Sequence, residues 1–188
     1  MIPAATQSNP GAIEIEPVSL PDMALGSRNA PVTIIDYSSM TCSHCAQFEQ
    51  TVLPILKSRY IDTGYVHFVF REFRLDVKAA GASMLALCIA NDEPNRYFSA
   101  IDTMLRQQDQ LINDAIKDIG LQFGMSDQQV ESCLKDQSLL DRISADQKIA
   151  SNMVKIASTP TFIINGRTYK GYMPFDQVDG IIRSQLRR

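Results

Sequence analysis

The chain has 188 residues, 45% of them apolar and 21% charged, with a formal net charge of −3. That length suits one globular domain or a domain carrying a sizeable insertion. The charge balance leaves neither the basic stripe of a nucleic-acid binder nor a polybasic membrane patch, and no apolar run reaches the length of a membrane-crossing helix.

Residues 1–17 hold Pro3, Pro10, Gly11 and Pro17 among small polar residues and read as a flexible or extended arm. The arm lacks the charged-then-apolar pattern of a secretory signal, so the chain is either cytosolic or a processed form. Four cysteines, two of them outside any motif, favour an oxidising compartment. "APVTIIDYS" (Ala30–Ser38) is a strand, with Pro31 at its start, where a missing N–H is tolerated. From Ser43 the spacing of Phe48, Val52, Ile55 and Leu56 predicts a helix, kinked by Pro54. "YVHFVFREF" (Tyr65–Phe73) is a second buried strand, and its His67 reads as core or edge packing.

Residues 77–150 carry only helical signals. They run through "KAAGASMLALCIA", "RYFSAIDTMLRQQ", "NDAIKDIGLQFG", "SDQQVESCL" with a Ser126/Gln129 capping box, and "LLDRISADQKIASNM". "TPTFIINGRTYKGY" (Thr159–Tyr172) is a hairpin, with Asn165-Gly166 suited to a type I′ turn. A last helix begins near Pro174, and its basic end "RSQLRR" complements the helix dipole. This order gives an α/β fold: a βαβ unit and a terminal ββα unit form a mixed sheet flanked by helices. The domain is discontinuous, 18–76 with 151–188, and the block 77–150 is an all-helical insertion.

The chemistry sits in "MTCSHCAQFE" (Met40–Glu49), where Cys42 and Cys45 stand three apart between a strand and a helix. Such a pair can ligate metal, crosslink the fold or cycle as a disulfide. Zinc needs two more ligands; Cys88 and Cys133 are each alone on a predicted helix and His67 lies in a strand, so no metal is expected. In the first helical turn, free N–H groups favour the Cys42 thiolate. A helix terminus contributes about 0.3–1 kcal/mol, at most ~2. At ~1.4 kcal/mol per pKa unit, that moves a thiol from about 8.5 by roughly one unit. A strong oxidant needs more, and His44 is the candidate to donate an N–H or a positive charge. A stabilised thiolate makes the disulfide the better oxidant. An exposed Cys42 sulfur is then the nucleophile, a less exposed Cys45 the resolving partner, and Met40 and Thr41 border the substrate surface.

"IIDYSSMTCSHCAQFE" resembles the active-site segment of DsbA-like thiol–disulfide oxidoreductases, thioredoxin-fold proteins with a helical insertion, and the resemblance extends over most of the chain. It assigns Cys42 as nucleophile and Cys45 as resolving cysteine. It matches Asp36 to a buried carboxylate that assists proton transfer at the resolving cysteine, and Glu49 to a second acid near the site. Pro160 in "STPTFIINGR" matches a cis-proline facing the cysteines, with the backbone of Thr159 binding an incoming peptide. The chain departs from the strongest oxidants of the family in carrying Ser43 in place of proline. The segment before the cis-proline often reads valine, a variable residue, glycine, threonine in the family, whereas here it is "KIAST", with Ala157-Ser158 before Thr159.

Cys88 and Cys133 lack a neighbouring histidine, so a structural disulfide is preferred over a second redox site or two buried thiols. Some DsbA-like proteins of alphaproteobacteria are similar in this. The resemblance implies a periplasmic, monomeric enzyme whose only redox group is the Cys42–Cys45 disulfide. It would be donated to reduced, unfolded exported polypeptides and restored by a DsbB-type membrane partner. The alternatives are an isomerase or reductase with the same site, or a metal-binding or redox-regulated chaperone-like protein.

Overall fold

A computed structural model describes residues 19–109 and 116–187; the arm expected over 1–17 and the first residues of the helix expected from Asn113 lie outside them. At the centre β2 (Val32–Ser38) and β3 (Val66–Glu72) run parallel, Ile34 beside Phe68 and Ser38 beside Glu72. Antiparallel strands complete a five-stranded sheet in the order β1–β3–β2–β4–β5, namely β1 (Met23–Leu25), β4 (Thr161–Ile164) and β5 (Arg167–Lys170). The three-residue β1 is an addition to the sequence reading. It is too short to show a periodicity of its own, and it forms because β3 offers it a free edge.

A parallel pair needs a crossover. Here it is α1 (Ser43–Thr51), α2 (Leu53–Leu56) and a π-helical turn over Lys57–Ile61. Pro54 ends α1 rather than kinking one continuous helix. It occupies the first turn of α2, where its missing N–H has no intrahelical partner to lose. The π-turn, closed by the Asp62 N–H on the Lys57 carbonyl at 2.9 Å, has no counterpart in the sequence reading.

Between β3 and β4 come α3 (Val77–Ala90), α4 (Pro94–Arg106), α5 (Ile116–Gln122), α6 (Asp127–Leu134), α7 (Gln137–Ile149) and a second π-turn over Ala150–Val154. The α6 capping box forms as the sequence predicts: Gln129 N–H donates to Ser126 Oγ, and the Gln129 side chain accepts from the Ser126 N–H. A Cys88–Cys133 disulfide joins α3 to α6. The helical insertion has no core of its own: Leu85, Ile119, Val130 and Ile143 belong to the same buried cluster as Val32, Phe68 and Phe162.

Strand alternation sets which side chains meet the helices. Ile34, Phe68, Phe70, Phe162 and Ile164 face the large cluster, whereas Ile35, Tyr37, Val69 and Ile163 line a smaller one behind the sheet. Asp36, Ser38 and Glu72 share the period of the first set and so face the same helices. Phe48 of α1 packs on Phe162 with ring centroids 4.5 Å apart, seating the helix over β4. The β4–β5 turn has φ of 44° at Asn165 and 81° at Gly166, the paired positive values of type I′. His67 is half-buried on β3, beside Thr33 and just past the residues paired with β1, its Nδ1 3.3 Å from the Gly26 carbonyl. The chain closes with α8 (Phe175–Leu186), which buries Val178 and Ile182. Among the described residues no helix is long and apolar enough to cross a membrane.

Candidate active site

Cys42 is the N-cap of α1, in extended conformation, and its Sγ takes the place a serine or threonine oxygen usually holds. The Cys45 N–H donates to it at 3.3 Å. Its thiol donates to the Thr159 carbonyl at 3.5 Å, and the Thr159–Pro160 bond is cis. That loop is held by Thr161 Oγ1 donating to the Ser158 carbonyl at 2.7 Å and by the Gly171 N–H on the Pro160 carbonyl at 2.8 Å. The site therefore joins a helix start to a prolyl loop across 117 residues of sequence.

Both cysteines are free thiols. Cys42 is 8% exposed and Cys45 2%, so the expected order of exposure holds, but the Cys42 residue, expected to present an exposed sulfur, is buried. The Thr159 loop lies against it, the carbonyl 3.5 Å from the sulfur. The Cys42 thiol is lowered to about 5, chiefly by the hydrogen bond with the Cys45 thiol, against the opposing effect of burial. The Thr159 side chain and the backbone N–H groups of Cys45 and His44 add to the effect. Thr159 Oγ1 is sealed from solvent and has no hydrogen-bond partner among the described residues, which leaves its hydroxyl free to turn to that sulfur. Cys45 moves the opposite way: burial first, then the shared hydrogen bond and the Asp36 charge, push its thiol far above the ordinary value.

The sequence reading gave the missing thiolate stabilisation to the His44 imidazole. The ring instead stands exposed at the second position of α1, and none of the hydrogen bonds recorded among the described residues involves it. It is the His44 backbone N–H that bears on the sulfur. Ser43 is also exposed. Met40 does not border a substrate surface: it is 0% exposed and belongs to the main core, its side chain turned inward as the chain leaves β2. Thr41 is half-buried and donates to Asp76 Oδ2 at 2.7 Å, tying the site to the cap of α3.

Beneath the cysteines lies a group of buried acids. Asp36 is 2% exposed and rises to about 7, mainly by burial and further by the nearby Cys42 and Glu72 charges; a 2.6 Å hydrogen bond from Ser38 Oγ opposes this. Glu49, 4% exposed, rises to about 8 by burial and then by the Asp36 and Asp102 charges. The sequence reading missed Glu72, half-buried as a residue but with its Oε2 sealed from solvent; burial lifts it to about 7 against the pull of Ser83 and Tyr97, and the Tyr97 hydroxyl donates to its Oε1 at 3.1 Å. The available signal was a charged residue continuing the inward period of a buried strand, directly beside Ser38. Also missed was Gln108, just past α4, whose Nε2 donates to the Met40 carbonyl at 2.9 Å and the Cys42 carbonyl at 2.8 Å.

A family model described as thioredoxin matches residues 19–184. A Rickettsia felis protein named "Putative protein-disulfide oxidoreductase" is 32% identical over 175 residues, covering 87% of this chain and 61% of that protein. The chain thus spans about three-fifths of the length of such curated relatives. The crystal structure of Wolbachia pipientis alpha-DsbA1 superposes with a TM-score of 0.80 at 27% identity, covering 87% of this chain and 90% of that one. BdbD from Bacillus subtilis shares the fold, with a TM-score of 0.77 at 18% identity over 89% of this chain and 94% of its own.

Proposed function

The chain belongs to the thioredoxin family, and from that premise we propose that it is a protein thiol–disulfide oxidoreductase acting as a dithiol oxidase on reduced exported polypeptides. The observation that carries this reading is the placement of Cys42 Sγ at the start of α1, accepting the Cys45 N–H at 3.3 Å and facing the cis Thr159–Pro160 loop at 3.5 Å, a setting in which Cys42 is acidified to about 5 while Cys45 is driven far up. A thiolate stabilised on Cys42 stabilises the reduced pair, which makes the Cys42–Cys45 disulfide a strong electron acceptor.

The reaction takes two exchanges. A substrate thiolate attacks Cys42 Sγ, a substrate–Cys42 bond forms, and the Cys42–Cys45 bond breaks with its electron pair going to Cys45. Because Cys45 is a poor anion, its sulfur must gain a proton as it leaves. Asp36, held near 7 and coupled to Cys45 through its charge, supplies that proton in its neutral form. A second substrate thiolate then attacks the substrate sulfur of the mixed disulfide. The substrate leaves with its own disulfide, oxidised by two electrons, and Cys42 departs as the stabilised thiolate.

The Thr159–Pro160 backbone lies where an incoming peptide would pass Cys42, and Thr41 beside Asp76 borders the same approach. The Asp36 charge in turn raises the Glu49 carboxyl, which keeps a second neutral acid in the same buried group. Restoring the disulfide requires an outside acceptor of two electrons, for which a DsbB-type membrane partner in a periplasmic setting is the matching source. The test is equilibration of the pair with glutathione together with two assays, oxidation of a reduced peptide and refolding of scrambled ribonuclease. A disulfide more oxidising than glutathione, with fast peptide oxidation and little unscrambling, supports the reading. A pair that glutathione leaves oxidised overturns it.

A further inference from the structure

Among the described residues, the helical insertion hydrogen-bonds the nucleophile's own backbone through Gln108. Gln108 follows the end of α4, and its single amide nitrogen donates one hydrogen to the Met40 carbonyl at 2.9 Å and the other to the Cys42 carbonyl at 2.8 Å. Those carbonyls flank the last turn of chain before α1. The Cys42 carbonyl is also the first acceptor of the helix, taking the Ala46 N–H at 3.1 Å. The Cys42 N–H in turn donates to the Ser39 carbonyl at 3.1 Å. Gln108 thus fixes the N-cap residue from outside the helix that it caps.

We infer that Gln108 is a positioning residue for the nucleophile, a clamp by which the insertion holds the Met40–Cys42 backbone so that the Cys42 sulfur meets the N–H groups of α1. Two physical effects follow from one side chain. The clamp keeps the Cys45 N–H, 3.3 Å from Sγ, aimed at the sulfur. It also engages the lone pairs of two carbonyls, whose negative ends would otherwise raise the energy of a neighbouring thiolate. Neither effect depends on contact with the substrate, and Gln108 makes no bond to either sulfur.

The alternative is that Gln108 merely docks α4 on α1. A second amide bridge between the same helices separates the two: Gln50 Nε2 donates to the Leu105 carbonyl at 3.3 Å, away from the cap. Gln108→Leu removes the clamp with little change in volume, and Gln50→Leu removes the other bridge. The thiolate absorbance of reduced protein, titrated against pH, reads the Cys42 pKa in each variant, and thermal melting reads docking.

With Gln108→Leu the Cys42 pKa rises by about half a unit to one unit, the size of a lost neutral hydrogen bond. With Gln50→Leu it stays at the wild-type value while the melting temperature falls. An unchanged pKa in Gln108→Leu, or an equal shift in both variants, overturns the inference. Should Gln108→Leu fail to fold, Gln108→Asn, one methylene too short to span both carbonyls, must show the same rise. The inference builds on the acid nucleophile of the proposed oxidase but compares variants with wild type. A wild-type Cys42 titrating as an ordinary thiol would strike the functional reading instead, and a shift between variants would still be measured.

Discussion

Cys42 Sγ lies 3.5 Å from the Thr159 carbonyl, and the Thr159 hydroxyl is sealed from solvent with no hydrogen-bond partner among the described residues. A buried hydroxyl without an acceptor is costly unless a charge develops in front of it. The Cys42 thiolate is that charge. Replacing Thr159 by Val keeps the shape and removes the donor, so the Cys42 pKa is expected to rise by about one unit. The disulfide becomes a weaker oxidant in the same proportion. Thiolate absorbance and glutathione equilibration measure the two effects, and a shift in one without the other would contradict the link between acidity and oxidising strength.

Asp36 supplies the second prediction. Its carboxyl is raised to about 7, so the neutral, proton-donating form is lost as pH rises through that value. Substrate thiolate becomes more abundant over the same range, which masks the effect in a raw rate. The ratio of wild-type to Asp36→Asn rates removes the mask, because both enzymes meet the same substrate. In single-turnover oxidation of a reduced peptide, that ratio is expected to be on the order of tenfold or more below pH 7 and to fall above it. A ratio constant with pH would mean that Cys45 draws its proton from elsewhere.

The frame of this fold is legible in the sequence because its signals are local. The alternation of "VTIIDYS", the Asn165-Gly166 turn and the Ser126/Gln129 cap each specify their element from within a few residues. The cysteine pair and Pro160 are legible through family resemblance. What escaped depends on long-range packing. Met40 reads as a surface neighbour of the nucleophile because only the tertiary fold shows the chain turning it into the core. His44 looks like the source of thiolate stability because no sequence shows whether a side chain or its own N–H points at the sulfur. Gln108 is one polar residue among many on a helical stretch, and its 66-residue separation from Cys42 leaves no pattern to find.

Glu72 gives a stability prediction whose sign is fixed by linkage. Its carboxyl is near 4.5 when unfolded and about 7 in the fold, so the folded state holds the extra proton between those values. The stability it contributes is present below 4.5 and is lost as pH rises through about 7. Glu72→Gln cannot ionise, and its amide oxygen still accepts from Tyr97. The variant should therefore match wild type in urea unfolding near pH 4.5 and become the more stable of the two above pH 7. A difference independent of pH would show that Glu72 is not a buried titrating acid.

The Cys88–Cys133 disulfide separates stability from chemistry. It closes 45 residues between α3 and α6, and chain-entropy arguments give such a crosslink about 4 kcal/mol as an upper estimate. Neither cysteine takes part in the hydrogen bonds around Cys42 or perturbs its acidity or that of Cys45 and Asp36. Replacing both by Ser avoids leaving a lone thiol that could enter exchange. The double variant is expected to melt at a lower temperature yet oxidise a reduced peptide at the wild-type rate at temperatures where it is folded. The separation is not trivial, because the insertion shares its core with the sheet and reaches the nucleophile through Gln108. If the double variant keeps its melting temperature and loses its rate, the second disulfide belongs to the redox chemistry. If both hold as expected, the tautness of the helical block is not what sets the rate of thiol exchange at Cys42.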